Sequence, residues 1–329
     1  MNLRWLATRE TVLFGAILVL LGVIYTRFPA FVAPGNLIRV FNDTSPLILL
    51  AIGQMIVILT RCIDLSVAAN LALTGMVVAM LNVAMPELPI AVILLVAVCF
   101  GALLGMVNGV LVWQLQIPPI VVTLGTMTIF RGLVFVISEG RWVNSHQMSD
   151  AFKAFPRSTI LGLPMLSWFA ILAVILFIVV MNRTTLGRAF YAVGGNPHAA
   201  TYTGLNVGRT QFWAFTISGA LAGLTGYLWV SRFGVAYVDI AGGFELDVVA
   251  ACVIGGVAIV GGVGTVTGAL LGALFLGVIK NALPVVNISP FWQMAISGAA
   301  IIIAVGFNAR TGREKGRIIL KRAEAVTPK

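Results

Sequence analysis

Chemistry in this 329-residue chain would have to come from few groups, because charged residues make up only 10% of it. A soluble domain carries roughly a quarter. The two histidines, His146 and His198, fall in polar connecting stretches. The three cysteines, Cys62, Cys99 and Cys252, lie in or beside apolar runs, and none forms a C-x-x-C pair. Neither set has the clustering of a metal or haem site, nor the spacing of a disulfide framework. H-E-x-x-H, G-x-S-x-G with a usable partner, and paired acids within an apolar run are all missing, so the common hydrolytic constellations are excluded. G-x-x-x-x-G-K-[ST] is missing too, so the chain cannot hold ATP by a phosphate loop. The sequence reads as a protein that is not an enzyme and carries no metal or cofactor of its own.

The remaining polar groups are sparse and oddly placed. Asp64 follows Arg61 by three residues, a spacing that suits an i,i+3 ion pair or an N-cap for the following helix. As a gate, the pair would be the sharper reading. Glu245 and Asp247 open a later apolar run, where acids complement a helix N-terminus or form part of an outer gate. Arg131 lies well inside an apolar run and must either snorkel to the surface or face water. Neutral polar residues at Gln54, Asn70, Thr74, Asn108, Thr123, Thr126, Gln293 and Ser297 are candidates for a polar substrate path. Phe135 and Trp292 could stack on an apolar ligand face. Such residues more often bond neighbouring helices or their own backbone.

The elements that must position these groups are membrane helices. The chain is 60% hydrophobic with mean hydropathy +1.04, and the apolar residues come in blocks long enough to cross ~30 Å of hydrocarbon. About ten spans are predicted, at 11–27, 46–60, 65–85, 90–114, 118–138, 164–182, 211–231, 245–262, 265–283 and 291–308. The first is read as a retained span, since no clear cleavage site follows it. The fold class is therefore all-α and polytopic. Ten spans place both termini on one side, together with 13 of the 21 basic residues. The positive-inside rule makes that side the cytoplasm. All seven tryptophans fall near predicted span ends, as interfacial indoles do. The net charge of +10 is thus accounted for by topology and anionic headgroups, which leaves no case for nucleic-acid binding. Five spans per half would make any internal duplication an inverted one, although the halves show no convincing match in sequence. Glycines at 101, 105 and 109, and at 264, 268 and 272, predict smooth packing faces.

One cytoplasmic stretch stands apart: GRAFYAVGGNPHAATYTGLNVGR, residues 187–209. Asn196-Pro197 is a helix start and Gly204 a helix stop. The two turns between them are too short to be stable alone in water. Something must hold them, and small Ala199 and Ala200 would let another surface approach.

This stretch resembles the cytoplasmic coupling segment of the monosaccharide permeases of bacterial binding-protein-dependent ABC importers. TRCIDLSVAANLALTGM (60–76) resembles the same family's G-G-I-D-L-S-V-G-S element. Residues 108–133 and 244–283 are also similar to the family, so the likeness covers essentially the whole chain. Arg61-Cys62 departs from the family's Gly-Gly, and Ala68-Ala69 from its Gly-Ser. The arginine is similar to the rhamnose and autoinducer-2 branches, and GRWVNSHQMSDAFKAFP (140–156) resembles the rhamnose branch.

The resemblance implies one permease domain over residues 1–329, with a coupling loop at 183–210 and a basic cytoplasmic tail at 309–329. It would sit in the bacterial inner membrane and import a monosaccharide, rhamnose first and autoinducer-2 or another pentose or hexose as the alternative. The implied partners are cytoplasmic ABC ATPase subunits, a periplasmic sugar-binding protein, and a second permease copy or paralogue. ATP would be bound by the partner. The residues that would meet the ATPase are Gly187, Arg188, Gly194, Gly195, Asn196, Pro197, Ala199, Ala200 and Gly204. A stand-alone secondary transporter is the rival reading. It would need coupling groups near the midplane, whereas the acids here cluster at span ends.

Overall fold

The computed structural model describes residues 9–285 together with 292, 295, 298 and 299. Among these residues, eight helices are long and apolar enough to cross a membrane: α1 (Arg9–Arg27), α2 (Pro34–Leu59), α3 (Val67–Ala84), α4 (Ile90–Trp113), α5 (Pro119–Ser138), α7 (Met165–Arg183), α10 (Val207–Phe233) and α12 (Val266–Val285). Between α5 and α7 lie a two-residue strand β1 (Val143–Asn144), a short helix α6 (Asp150–Ala154) and a small hairpin, β2 (Thr159–Ile160) with β3 (Leu163–Pro164). β1 pairs with β4 (Val235–Ala236), which follows α10.

Burial separates inner helices from outer ones. α2 is buried over 89% of its apolar window and α10 over 78%, while α1 is buried over 6%. A helix apolar on all sides belongs in the middle, and from Thr44 to Leu59 every residue of α2 is buried. α10 packs on α4 through glycines. A Cβ on Gly101 would overlap the Gly219 carbonyl, and one on Gly105 the Phe215 carbonyl. The predicted packing face at 101, 105 and 109 is therefore used, with Gly109 against Phe212. Without a hydrophobic force between helices in lipid, such close backbone approach is a main source of association. Gly268 and Gly272 likewise meet Gly255 and the Ala251 carbonyl, but Gly264 lies in the loop before α12, outside the helix.

Two predicted spans differ from the structure in kind. The second, read as 46–60, begins twelve residues earlier, as the 26-residue α2. The polar run Asn42-Asp43-Thr44-Ser45 masked it. In the fold, Ser167 donates to the Asn42 side chain at 3.1 Å, and Asp43 is ion-paired with Arg232. The eighth, read as 245–262, is an 11-residue helix α11 (Phe244–Ile254), followed by irregular chain at 255–265. Eleven residues rise only ~16 Å, about half a bilayer core. The irregular stretch nevertheless reaches the end of the bundle where α2 finishes, because Gly262 N donates to the Leu59 carbonyl at 3.0 Å. The chain makes the passage with a half-length helix plus a glycine loop, which the positive φ of Gly256, Gly261 and Gly262 permits. The tenth predicted span and the basic tail at 309–329 lie outside the described residues, apart from the four positions named above.

Candidate functional site

The predicted loop at 183–210 is built from two helices. α8 (Thr185–Gly195) starts on Thr184, whose hydroxyl accepts from Gly187 N at 3.1 Å. Its apolar face, Phe190, Val193 and Gly194, is buried against the bundle. Gly187 sits so close to Val180 and Met181 of α7 that a Cβ would overlap their backbone. α9 (Pro197–Tyr202) starts as the sequence predicts, with the Asn196 side chain accepting from Ala199 N at 3.1 Å and proline in the first turn. It ends on Gly204 at φ +86, with Leu205 N on the Ala200 carbonyl and Gly204 N on the Thr201 carbonyl. Those two bonds form a Schellman motif.

α9 buries Ala200 and exposes Ala199 and Tyr202, the latter at 92%. Of the two small residues expected to admit another surface, only Ala199 is outside. Tyr202 is a functional candidate that the spacing argument passed over. Its signal was an aromatic side chain inside a polar, capped turn. Arg188 and Gly195 are exposed alongside, and nothing lies within 4 Å of a Cβ built on Gly195. Gly194 is the opposite case, because a Cβ there would overlap the Leu59 carbonyl.

α8 rests on the junction between α2 and α3, residues 60–66, and this junction collects four of the eight polar residues predicted as a path. Gln54 donates its amide to the Asp64 carbonyl at 3.0 Å and accepts from Asp64 N at 3.2 Å. Thr123 donates to the Ile63 carbonyl at 3.1 Å, and Gln211 of α10 to the Thr60 carbonyl at 3.2 Å. Ser66 donates its hydroxyl to Asp64 at 2.6 Å and its N–H at 2.9 Å. Asn108 donates to the Ser66 hydroxyl at 2.8 Å and accepts from Thr126 at 2.7 Å. Gln54, Asn108, Thr123 and Thr126 are all buried. Buried irregular backbone is tolerated only where protein satisfies it, and Gln54, Thr123 and Gln211 do that for 60–66. Asn70 is buried a turn away, donating to the Gly101 carbonyl at 3.0 Å and accepting from Thr74 at 3.1 Å.

Arg61 and Asp64 do not form the ion pair their spacing allows. Asp64 is turned inward onto Ser66, and burial pushes its carboxyl above the usual carboxylate range against those hydrogen bonds. Ser66, not Asp64, holds the N-cap position of α3. Arg61 is turned outward, donating from Nε to the Gly194 carbonyl at 2.7 Å and from Nη2 to the Gly195 carbonyl at 2.8 Å.

At the opposite end of the bundle, Asp247 in the first turn of α11 is ion-paired with Lys280 of α12, while Glu245 is half-buried. Arg131 is half-buried. It donates to the Ile240 and Ala241 carbonyls, at 2.6 and 3.1 Å, and so ties α5 to the segment leading into α11. Phe135 and Trp292 are exposed, and Gln293 lies outside the described residues. Among the described residues, no three His, Cys, Asp or Glu side chains gather to hold a metal ion.

Comparison with known proteins fits this architecture. Residues 36–305 match the family model described as the permease component of the branched-chain amino acid transport system. The chain belongs to this permease family. It is 34% identical to the ribose import permease protein of Haemophilus influenzae, covering 92% of this chain and 94% of that one. It is 37% identical to the autoinducer 2 import system permease protein of an Enterobacter species, covering 93% and 88%. It is 34% identical to the galactose/methyl galactoside import permease protein of Escherichia coli K12, covering 92% and 94%. No solved structure gives a match. The chain is thus a permease of the monosaccharide ABC-importer group, a multi-pass inner-membrane protein and not an enzyme, with ATP bound by a separate subunit.

Proposed function

We propose that this permease imports a monosaccharide, rhamnose first among the candidates, with a cytoplasmic ABC ATPase docking on α8–α9 and a periplasmic binding protein delivering the sugar. The observation that carries the coupling reading is α9 itself. It is a six-residue helix capped at both ends, fixed to the bundle through α8, and exposed at Ala199 and Tyr202. A six-residue helix is not stable alone, so its two caps and its seat on the bundle make it a stiff projection that can be pushed. Gly187, Gly194 and Ala200 seat it, while Arg188, Gly195, Asn196, Pro197, Ala199 and Gly204 form the outer contact. A second permease copy or paralogue would complete the pathway.

The choice of rhamnose rests on Arg61 and the 140–156 segment. The relatives named above import ribose, autoinducer 2 and galactosides, so autoinducer 2 or another pentose or hexose is the alternative substrate. A sugar path through Gln54, Asn70, Asn108, Thr123 and Thr126 requires the 60–66 junction to open, because all five are buried as the chain stands. Phe135 is accessible without that step. Arg61 and Asp64, at the inner end, and Glu245 and Asp247, at the outer end, are assigned to holding the two gates. The test is reconstitution of the permease in proteoliposomes with an ABC ATPase and a sugar-binding protein from the same organism. ATP-driven uptake of labelled rhamnose, with ribose, galactose and autoinducer 2 in parallel, identifies the cargo. Proton- or sodium-driven uptake by the permease alone would overturn the partner model.

A further inference from the structure

Arg61 stands where the family resemblance has glycine, and the backbone shows why glycine suits the place. Arg61 has φ +64, the left-handed region that an L side chain enters only at a cost. The chain keeps an arginine there, and its side chain reaches two carbonyls 133 and 134 positions away. Those carbonyls, of Gly194 and Gly195, belong to the last turn of α8 and have no partner within that helix. A cation at a helix C-terminus also meets the negative end of its dipole, and a planar fork with several donors can bind two carbonyls at once.

The same spot joins a third element. The Leu59 carbonyl accepts from Gly262 N at 3.0 Å, and a Cβ on Gly261 would crowd the Arg61 side chain. Gly262 lies so near Gly194 and Gly195 that it has no room for a side chain, and Tyr191 of α8 donates to the Gly264 carbonyl at 2.9 Å. The end of α2, the end of α8 and the glycine loop before α12 therefore meet within one residue of each other, and Arg61 is the charged side chain that clasps them.

We propose that Arg61 is a latch that makes the end of α8 move as one piece with the α2–α3 junction, so that a push on α9 reaches the buried Asp64–Ser66–Asn108 cluster. Arg61 acts through α8 and is a positioning residue. The proposal rests on the reading of α8–α9 as the ATPase docking element. With the fork removed, α8 would still carry α9 and still receive the motor, but α2 would follow its movement incompletely.

The test compares Arg61→Gly, Arg61→Lys and Ala199→Arg in the full importer, reconstituted with its ATPase and binding protein, with labelled rhamnose as probe and ribose run in parallel. Arg61→Gly is the clean variant, because glycine occupies φ +64 without strain and loses only the fork. The expected result is co-purified ATPase and a melting temperature equal to those of the parent, with sugar imported per ATP hydrolysed down about five-fold. Arg61→Lys, which keeps the charge but not the fork, should fall between. An unchanged ratio in Arg61→Gly overturns the latch, and so does loss of the co-purified ATPase, which would put Arg61 in the dock itself. Failure of the docking reading looks different: Ala199→Arg would then leave both co-purification and uptake intact, and the latch would fall with it.

Discussion

Two polar regions lie back to back on the α2–α3 junction and use their residues in opposite ways. On the inner side, Gln54, Asp64, Ser66, Asn108, Thr123 and Thr126 are buried and spend their donors and acceptors on one another or on the 60–66 backbone. On the outer side, α9 is held by its own caps and leaves Ala199 and Tyr202 exposed. The contrast separates holding from acting. Polar side chains within a membrane bundle chiefly keep irregular backbone in place, while the element able to receive a partner keeps its surface unspent.

Gly194 is where the two regions touch, so a substitution there should have the largest effect. Gly194→Val puts a branched side chain into the Leu59 carbonyl. Overpacking of this kind costs ~1–3 kcal/mol or more and here has only backbone to displace. Uptake should fall below detection, and the melting temperature should drop. Its neighbour sharpens the comparison, since nothing lies within 4 Å of a Cβ on Gly195. Gly195→Trp should leave the melting temperature alone and abolish uptake by blocking the dock. Equal losses of stability in the two variants would erase the distinction between seat and surface.

Ala199→Arg comes next. It should cost uptake about ten-fold or more with no change in folded yield, because the residue is exposed and its helix caps are untouched. Tyr202→Ala should be milder. A single exposed aromatic at an interface is worth ~1–2 kcal/mol, so co-purification of the ATPase should weaken by roughly ten-fold while a saturating ATPase restores uptake. Uptake equal to the parent at limiting ATPase would remove Tyr202 from the contact.

How much of this was legible depended on whether the signal was local. Asn196-Pro197 and Gly204 announce α9 because caps act within a turn, and the structure returns those bonds. α8 was less visible, since Gly187, Gly194 and Gly195 read as loop until Gly187 and Gly194 are seen lying against other backbone. The N-terminal part of α2 was hidden because Asn42 and Asp43 look like a loop when their partners, Ser167 and Arg232, are more than 120 positions away. The break after Ile254 was hidden for the opposite reason. GGVAIVGGVG is apolar enough to pass for a span, and hydropathy does not register that four of its five glycines take positive φ. Asp64 and Arg61 show the limit of spacing arguments, since three residues apart allowed a pair that the distant Gly194 carbonyl replaced for Arg61 and the nearer Ser66 for Asp64.

The smallest effects belong to the sealed region, where interactions are many and individually modest. Interhelical hydrogen bonds in membrane proteins average ~0.6 kcal/mol and reach ~1.7. Asn108→Leu removes one hydrogen bond each from Ser66 and Thr126, which keep Asp64 and the Val122 carbonyl as partners, and should lie between the two figures. Asp64 is subtler. Its folded-state pKa is raised by burial, with Ser66 opposing, so the folded state holds a proton more tightly than the unfolded chain. By linkage, stability then falls as pH rises above the ordinary carboxylate value of ~4 toward the raised one, and is level beyond it. Asp64→Asn keeps an acceptor for Ser66 but cannot ionise, so its melting temperature should lose that slope above about pH 4. The parent should be the less stable of the two at the alkaline end. A parent that gains stability relative to Asp64→Asn as pH rises would mean that the buried carboxylate is favoured as the anion, and that the junction is held by charge instead of by hydrogen bonds alone.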